Sequence, residues 1–404
     1  MLRRAGAAAF AVLVLVPVPA AHADDIRGSQ REVIRTLGLA KAWQVTKGAG
    51  VTVAVLDSGV DPGHRDLAGA VVEGRDFTAG ANPPGVAPSR LHGTYMASLI
   101  AGHGHGPGGR QGVIGVAPAA RLLSVRVILE DEEPGFREFN TEREFEDVVA
   151  KGIRYAVDRG ADVINMSISK ELATKRERAA IRYAISKGVV LVAAAGNDGA
   201  SEPDANGFAP YSYPAAFPGV VSVAATDRGL RRASFSNWNP SVMVAAPGVD
   251  ILGAGPGDAY WVGKGTSQAA ALVSGVAALI KAKYPDMSPG LVAQALTSGA
   301  RKNPPGGYDT GTGFGVVDAA ASLAKAAQLA RHTPTANGAQ AHDPARPLAE
   351  AGAGGAIQIV HRDTRRVTLF GAFAAGAALA SLTSLGILVA LVRRARRGPP
   401  PADA

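Results

Sequence analysis

An α/β fold, with a mainly parallel sheet covered by helices on both faces, is what this 404-residue chain predicts. Two observations carry the expectation. Between residues 50 and 324, short apolar runs rich in β-branched residues alternate with longer stretches of helical spacing, the pattern of strand–helix–strand units. The short runs are apolar at nearly every position rather than at alternate ones, as strands buried on both faces require. Hydrophobic residues make up 47% of the chain and aromatics only 5%, so the core must be built from Ala, Val, Leu and Ile.

The elements follow in order. Arg31 to Trp43 has the spacing of a short amphipathic helix that packs on the main domain. Strands are expected at 51–56, 122–127, 162–166, 189–194 and 220–224, and helices at 93–101, 143–158, 173–187, 267–283 and 289–298. The last helix has Ser288 as cap, Pro289 in its first turn and Gly299 past its end. Residues 130–147 form an acidic insertion, from Glu130-Asp-Glu-Glu133 to Glu146-Asp147, read as a solvated loop running into a helix. A calcium site there is the alternative, with no recognisable ligand spacing. His103-Gly-His105 reads as a flexible surface loop, since no adjacent carboxylate completes a metal site.

The termini read as targeting segments. Met1-Leu-Arg3-Arg4, an apolar stretch from Ala5 to Ala20, and Ala21-His22-Ala23 have the form of a secretory signal peptide at 1–23, cut after Ala23. A short N-terminal extension at 24–49 leaves no room for a folded pro-domain before the main domain at 50–330. Residues 331–366 are an Ala/Gly/Pro-rich linker. Thr368 to Val392 carries no charge and is long enough to cross a bilayer, so a transmembrane helix is placed at 367–392. Arg393, Arg394, Arg396 and Arg397 follow in a basic tail at 393–404. With the signal peptide, they put the tail in the cytoplasm and the domain outside a single-pass cell-membrane anchor.

The formal net charge of +8 does not imply a nucleic-acid partner. Residues 24–330 carry 31 basic and 30 acidic side chains, so the excess lies in the targeting segments. The absence of cysteine excludes disulfides, a thiol nucleophile and Cys-ligated zinc.

Three segments suggest chemistry. Gly265-Thr266-Ser267 opens a long apolar helix, where a serine has a free backbone N–H at the positive end of the helix dipole. Such a site suits an oxyanion, although Gly-Thr-Ser also caps ordinary helices. Val51-Thr-Val-Ala-Val-Leu-Asp57 places a carboxylate at the C-terminal end of a buried strand, as a site residue or a loop cap. His92-Gly93-Thr94 begins another apolar helix, where a histidine is a base, a cap or a surface residue. Together an Asp, a His and a Ser at element ends supply orienter, base and nucleophile for acyl transfer.

In that order these segments resemble the subtilisin-like serine proteases, over roughly Gly50 to Ala324. Supporting stretches are Asp61-Pro-Gly-His64-Arg-Asp66-Leu67, Gly115-Val-Ala-Pro118, Val163-Ile-Asn-Met-Ser167, Ala193-Ala-Ala-Gly-Asn197, Ala246-Pro-Gly248 and Gly313-Phe-Gly-Val-Val-Asp318. The resemblance implies the family's three-layer fold, a triad of Asp57, His92 and Ser267, and Asn197 as oxyanion donor. It further implies a protein or peptide substrate laid along Ser167, Ile168 and Ser169 on one side and Ala194 and Gly196 on the other. No cofactor is required, and a structural calcium ion is allowed. Where the family commonly reads Ser-Leu-Gly-Gly this chain has Ser167-Ile-Ser-Lys170, which alters the expected pocket. Signal, short extension, protease, linker, single helix and basic tail are most similar to the mycosins, membrane-anchored proteases of type VII secretion systems. Mycosins generally carry disulfides, which this chain cannot form. The resemblance implies a membrane-anchored endopeptidase that processes secretion substrates. The alternatives are a scaffold that stabilises a secretion complex and a general cell-surface subtilase.

Overall fold

The computed structural model describes residues 15–17, 26–301, 304–332, 383–384 and 386–387. The chain divides into residues 1–334 and 335–404, and the architecture is that of the first unit. Its strands are β1 (Leu15–Pro17), β2 (Thr52–Asp57), β3 (Val71–Asp76), β4 (His103–His105), β5 (Gln111–Ile114), β6 (Arg121–Arg126), β7 (Val163–Met166), β8 (Val190–Ala194), β9 (Val220–Thr226), β10 (Val244–Pro247), β11 (Ile251–Gly255) and β12 (Ala259–Gly263). Its helices are α1 (Ile26–Ser29), α2 (Arg31–Thr36), α3 (Leu39–Val45), α4 (Leu91–Ala101), α5 (Phe136–Thr141), α6 (Val148–Asp158), α7 (Lys175–Ser186), α8 (Thr266–Lys283), α9 (Pro289–Ser298) and α10 (Ala319–His332).

Seven strands form one parallel sheet in the order β10-β9-β8-β7-β2-β6-β3. The chain leaves β2 toward β3 and β6, then returns to β2's other side with β7. The topology therefore reverses at β2, and the C-terminal ends of β2 and β7 flank the crevice where open α/β sheets place their sites. The strand residues explain the two covered faces. Val53 and Val55 of β2 pack into one core with residues of α4 and α8, whereas Ala54 and Leu56 pack into a second with residues of α6 and α7. Both faces of β2 are dry, which is why its sequence does not alternate.

The helix read over Arg31–Trp43 is two helices. Gly38 at φ +64 separates α2 from α3, and a Cβ there would sit 2.8 Å from the Asp318 carboxylate. Both pack on the domain as expected, and Trp43 Nε1 donates to the Val116 carbonyl at 2.8 Å. The helix expected at 143–158 begins at Val148, after a separate tight turn at Arg143–Phe145. At 173–187 a capping box of Thr174 and Glu177 starts α7 at Lys175.

Two loop readings are corrected. The acidic insertion is not simply solvated: Glu133 is buried against Arg126 at 2.5 Å, and residues 136–141 form α5 around a buried Phe139. His103–His105 is not a free loop but pairs with β5, and His105 Nδ1 lies 2.6 Å from buried Asp66. The carboxylate absent from the neighbouring sequence arrives through the fold. Unforeseen too was the hairpin of β11 and β12, although Gly255-Pro-Gly-Asp258 between apolar runs is a turn signal. β1, inside the expected signal peptide, pairs antiparallel with β12, and the cleavage point after Ala23 lies outside the described residues. Of Thr368 to Val392, only Thr383, Ser384, Gly386 and Ile387 are described. Among the described residues no helix is long and apolar enough to cross a membrane.

Candidate active site

Asp57 closes β2 and is fully buried at the sheet's C-terminal edge. Its Oδ1 accepts the Ser58 N–H at 2.8 Å and lies 2.6 Å from His92 Nδ1. Its Oδ2 is buried with no hydrogen-bond partner. The carboxylate's orientation therefore depends on His92 and the Ser58 amide. His92 is the second residue of α4, and the next residue explains how it comes so close. A Cβ on Gly93 would lie 2.0 Å from the Gly59 carbonyl, so only glycine lets α4 press against the turn after β2. The Gly93 N–H then donates to Ser58 Oγ at 3.0 Å, fastening helix to turn.

The His92 side chain is 12% exposed. Burial opposes its charged form, but the Asp57 charge and hydrogen bond, with Glu130 and Asp131, outweigh burial and raise its pKa. The Asp57 contact leaves Nε2 as the nitrogen open to a reacting group.

Ser267 lies in the first turn of α8, after a fully extended Gly265. Its N–H is one of the orphan donors of the helix start, aligned with the helix dipole. A polar chain bolts this turn to β7. Ser274 Oγ donates to Asn165 Oδ1 at 2.9 Å, Asn165 Nδ2 to Ser167 Oγ at 3.1 Å, and Ser167 Oγ to the Ser267 carbonyl at 3.0 Å. The Ser267 hydroxyl is directed at the Ser167 carbonyl at 3.5 Å and makes no hydrogen bond to His92. Nucleophile–base bonds commonly tighten only when substrate is present.

Asn197 follows β8 on the other side of the crevice. Its Oδ1 accepts two bonds from Thr266, from the N–H and from Oγ1, both at 2.9 Å. Because a backbone N–H can only donate, the amide orientation is determined, and Nδ2 is left as a donor. Thr266 Oγ1 also accepts the Gly196 N–H at 3.2 Å, so one hydroxyl ties the β8 turn to the start of α8. Sequence reading missed Thr266 and Asn165; their place inside the motifs was the only hint.

The remaining expected residues divide. Ser167 touches Ser267, whereas the Ile168 side chain is buried in the core. Ser169 Oγ is 2.8 Å from Ser212 Oγ. Ala194 ends β8, and Gly196, at φ +104, turns the chain toward Asn197. Lys170 does not offer its charge to the crevice, because its ammonium pairs with buried Glu177. Beside Ile168 and Lys170 opens a cavity of about 260 Å³, lined also by Val149, Phe139, Phe145 and Leu172. Among the described residues no three His, Asp or Glu side chains are grouped to hold a metal ion. Glu130 accepts the His92 N–H, and Glu133 accepts from Arg126.

Residues 48–315 match the model of the subtilase family. The thermophilic serine proteinase of Bacillus sp. (strain AK1) is 40% identical over 240 residues, 59% of this chain and 54% of that protein. This chain thus spans about half of that relative's length. Thermitase of Thermoactinomyces vulgaris is 37% identical over 240 residues, 59% of this chain and 78% of that protein. Among solved structures, the MycP3 protease from the type VII (ESX-3) secretion system superposes with a TM-score of 0.61 at 34% identity, covering 72% of this chain and 87% of that one.

Proposed function

Because this chain belongs to the subtilase family, we propose that it is a serine endopeptidase that cleaves peptide bonds through an acyl-enzyme on Ser267. The observation that carries the reading is buried Asp57 paired with His92 at 2.6 Å, facing the same crevice as the α8 N-terminus and an amide preset by Thr266. Ser267 Oγ attacks the scissile carbonyl while His92 Nε2 takes its proton. Asp57 holds the tautomer and stabilises the imidazolium. Asn197 Nδ2 and the Ser267 N–H donate to the developing oxyanion. His92 then protonates the leaving amine, and water repeats the sequence in reverse on the ester. The substrate backbone runs between Ser167–Ser169 and Ala194–Gly196. The metal-free chemistry asks for no cofactor.

The protease works from a membrane anchor, with the domain outside and the basic tail inside, on proteins leaving a type VII secretion channel. The uncharged run from Thr368 to Val392 supports the anchor, and the likeness to the MycP3 protease supports the secretion role. Fluorophosphonate labelling and hydrolysis of a peptide library test the chemistry. Ser267→Ala is expected to lose both while staying folded, leaving only residual binding and oxyanion catalysis. A variant that keeps more than a few per cent of the wild-type rate would sink the assignment. A wild-type chain that neither labels nor cleaves favours the scaffold instead. Protease shaving of intact cells tests the topology: the domain should be digested and a tag placed after Arg397 protected.

A further inference from the structure

Helix α4 carries His92 but does not cap itself. Arg90, at its N-cap position, is left-handed at φ 57 and its side chain gives the helix no capping hydrogen bond. The cap comes from elsewhere. Glu130 Oε1 accepts the His92 backbone N–H at 2.9 Å, and Oε2 accepts Ser89 Oγ at 2.8 Å. One carboxylate thus ties the first turn of the helix to the loop leading into it.

Glu130 is itself held. Its N–H donates to Glu133 Oε1 at 3.2 Å, and its carbonyl accepts the Glu133 N–H at 2.9 Å. Glu133 Oε2 receives Arg126 Nη2 at 2.5 Å and also Asn82 Nδ2. Arg126 is the register partner of Asp57 across β6 and β2. The carboxylate on the His92 ring and the carboxylate on its backbone are therefore anchored at neighbouring strand ends.

We propose that Glu130 is a positioning residue for His92: it fixes the main chain at the start of α4, and its charge favours the imidazolium. The proposal rests on the reading of His92 as base. The acidic groups acting on the imidazole are Asp57, Glu130 and Asp131. The nearest cation in sequence, Arg90, is paired with Glu73 at 3.1 Å, and Arg126 is paired with Glu133 and Asp76. The two halves of the role separate by substitution. Glu130→Gln keeps an acceptor for the His92 N–H and loses the charge, whereas Glu130→Ala loses both.

The experiment measures fluorophosphonate labelling of the full chain against pH for wild type, Glu130→Gln, Glu130→Ala and Glu138→Gln, an exposed acid of the same insertion. Glu130→Gln should move the acid midpoint down by about half a pH unit with an unchanged plateau. Glu130→Ala should show the same shift and a plateau about tenfold lower. Glu138→Gln should match wild type. A Glu130→Gln midpoint equal to wild type overturns the proposal, and so does a folded Glu130→Ala at the wild-type plateau. Should Glu130→Ala fail to fold, the Glu130→Gln midpoint decides. Should wild type not label at all, the protease reading falls, and titration of ¹⁵N-histidine-labelled protein decides instead. The resonance lost in His92→Gln must then titrate lower in Glu130→Gln, and an unmoved one refutes the proposal.

Discussion

Replacing Thr266 with valine removes one oxygen and keeps the shape, which isolates the part this hydroxyl plays. Thr266 is fully buried, and Oγ1 serves two partners: it donates to Asn197 Oδ1 at 2.9 Å and accepts the Gly196 N–H at 3.2 Å. The donated bond is worth about 1 kcal/mol, and the Gly196 N–H left without a partner costs about 1–3 kcal/mol. Thr266→Val should therefore lose about 2–4 kcal/mol of folding stability, read as a lower denaturant midpoint at unchanged m-value. The Thr266 N–H still holds Asn197 Oδ1 at 2.9 Å, so the proposed oxyanion donor is loosened rather than lost. We expect kcat to fall about tenfold, or ~1.4 kcal/mol, with little change in KM. Asn197→Ala, which deletes the donor, should cost about 10²–10³-fold in kcat. Thr266→Ser restores the hydroxyl and should recover most of both losses. If Thr266→Val matches wild type in kcat, or loses as much as Asn197→Ala, the hydroxyl does not preset the amide as described.

Other contacts set four further outcomes. The His92 pKa is raised above the ordinary histidine value, and only neutral His92 can accept the Ser267 proton, so kcat/KM should fall with acid through a midpoint above about 6.5. The stability term has the opposite sense: the Asp57–His92 pair stabilises most below the unfolded value and is lost as pH rises through the folded one, so His92→Ala should flatten stability against pH in that window. A profile of kcat/KM flat from about pH 5 to 8 would exclude His92 as base. Glu133→Ala leaves buried Arg126 without its closer carboxylate, at 2.5 Å, and should cost about 3–5 kcal/mol in chemical denaturation. Gln30 is bonded twice to Ile114, donating to its carbonyl at 3.1 Å and accepting its N–H at 2.8 Å. Gln30→Ala should cost about 1–3 kcal/mol, and no loss would mean that the N-terminal helices do not support the β4–β5 edge.

Local pattern carried the main elements because it reports burial directly. Val53 to Leu56 are apolar without alternation, since the sheet is covered on both faces, and the same run made β2 and its terminal Asp57 legible. The long apolar stretch after Ser267 announced α8, and Ser288, Pro289 and Gly299 marked the ends of α9. Ordered motifs then pointed to Asp57, His92, Asn197 and Ser267 as the expected set.

What they touch was decided by tertiary structure. His92 lies 35 residues from Asp57, and Asn197 lies 69 residues from Thr266, so their bonds exist only once the strands are ordered around β2. The acidic insertion shows the limit most clearly. Glu130, Asp131, Glu132 and Glu133 are equivalent as a sequence, yet Glu133 is buried on Arg126, Glu130 caps the helix of His92, and Asp131 and Glu132 face solvent. Periodicity along a chain records which face of an element avoids water. It holds no record of which distant donor will meet a given carboxylate, because that depends on sheet order and on close approaches such as Gly93 against Gly59.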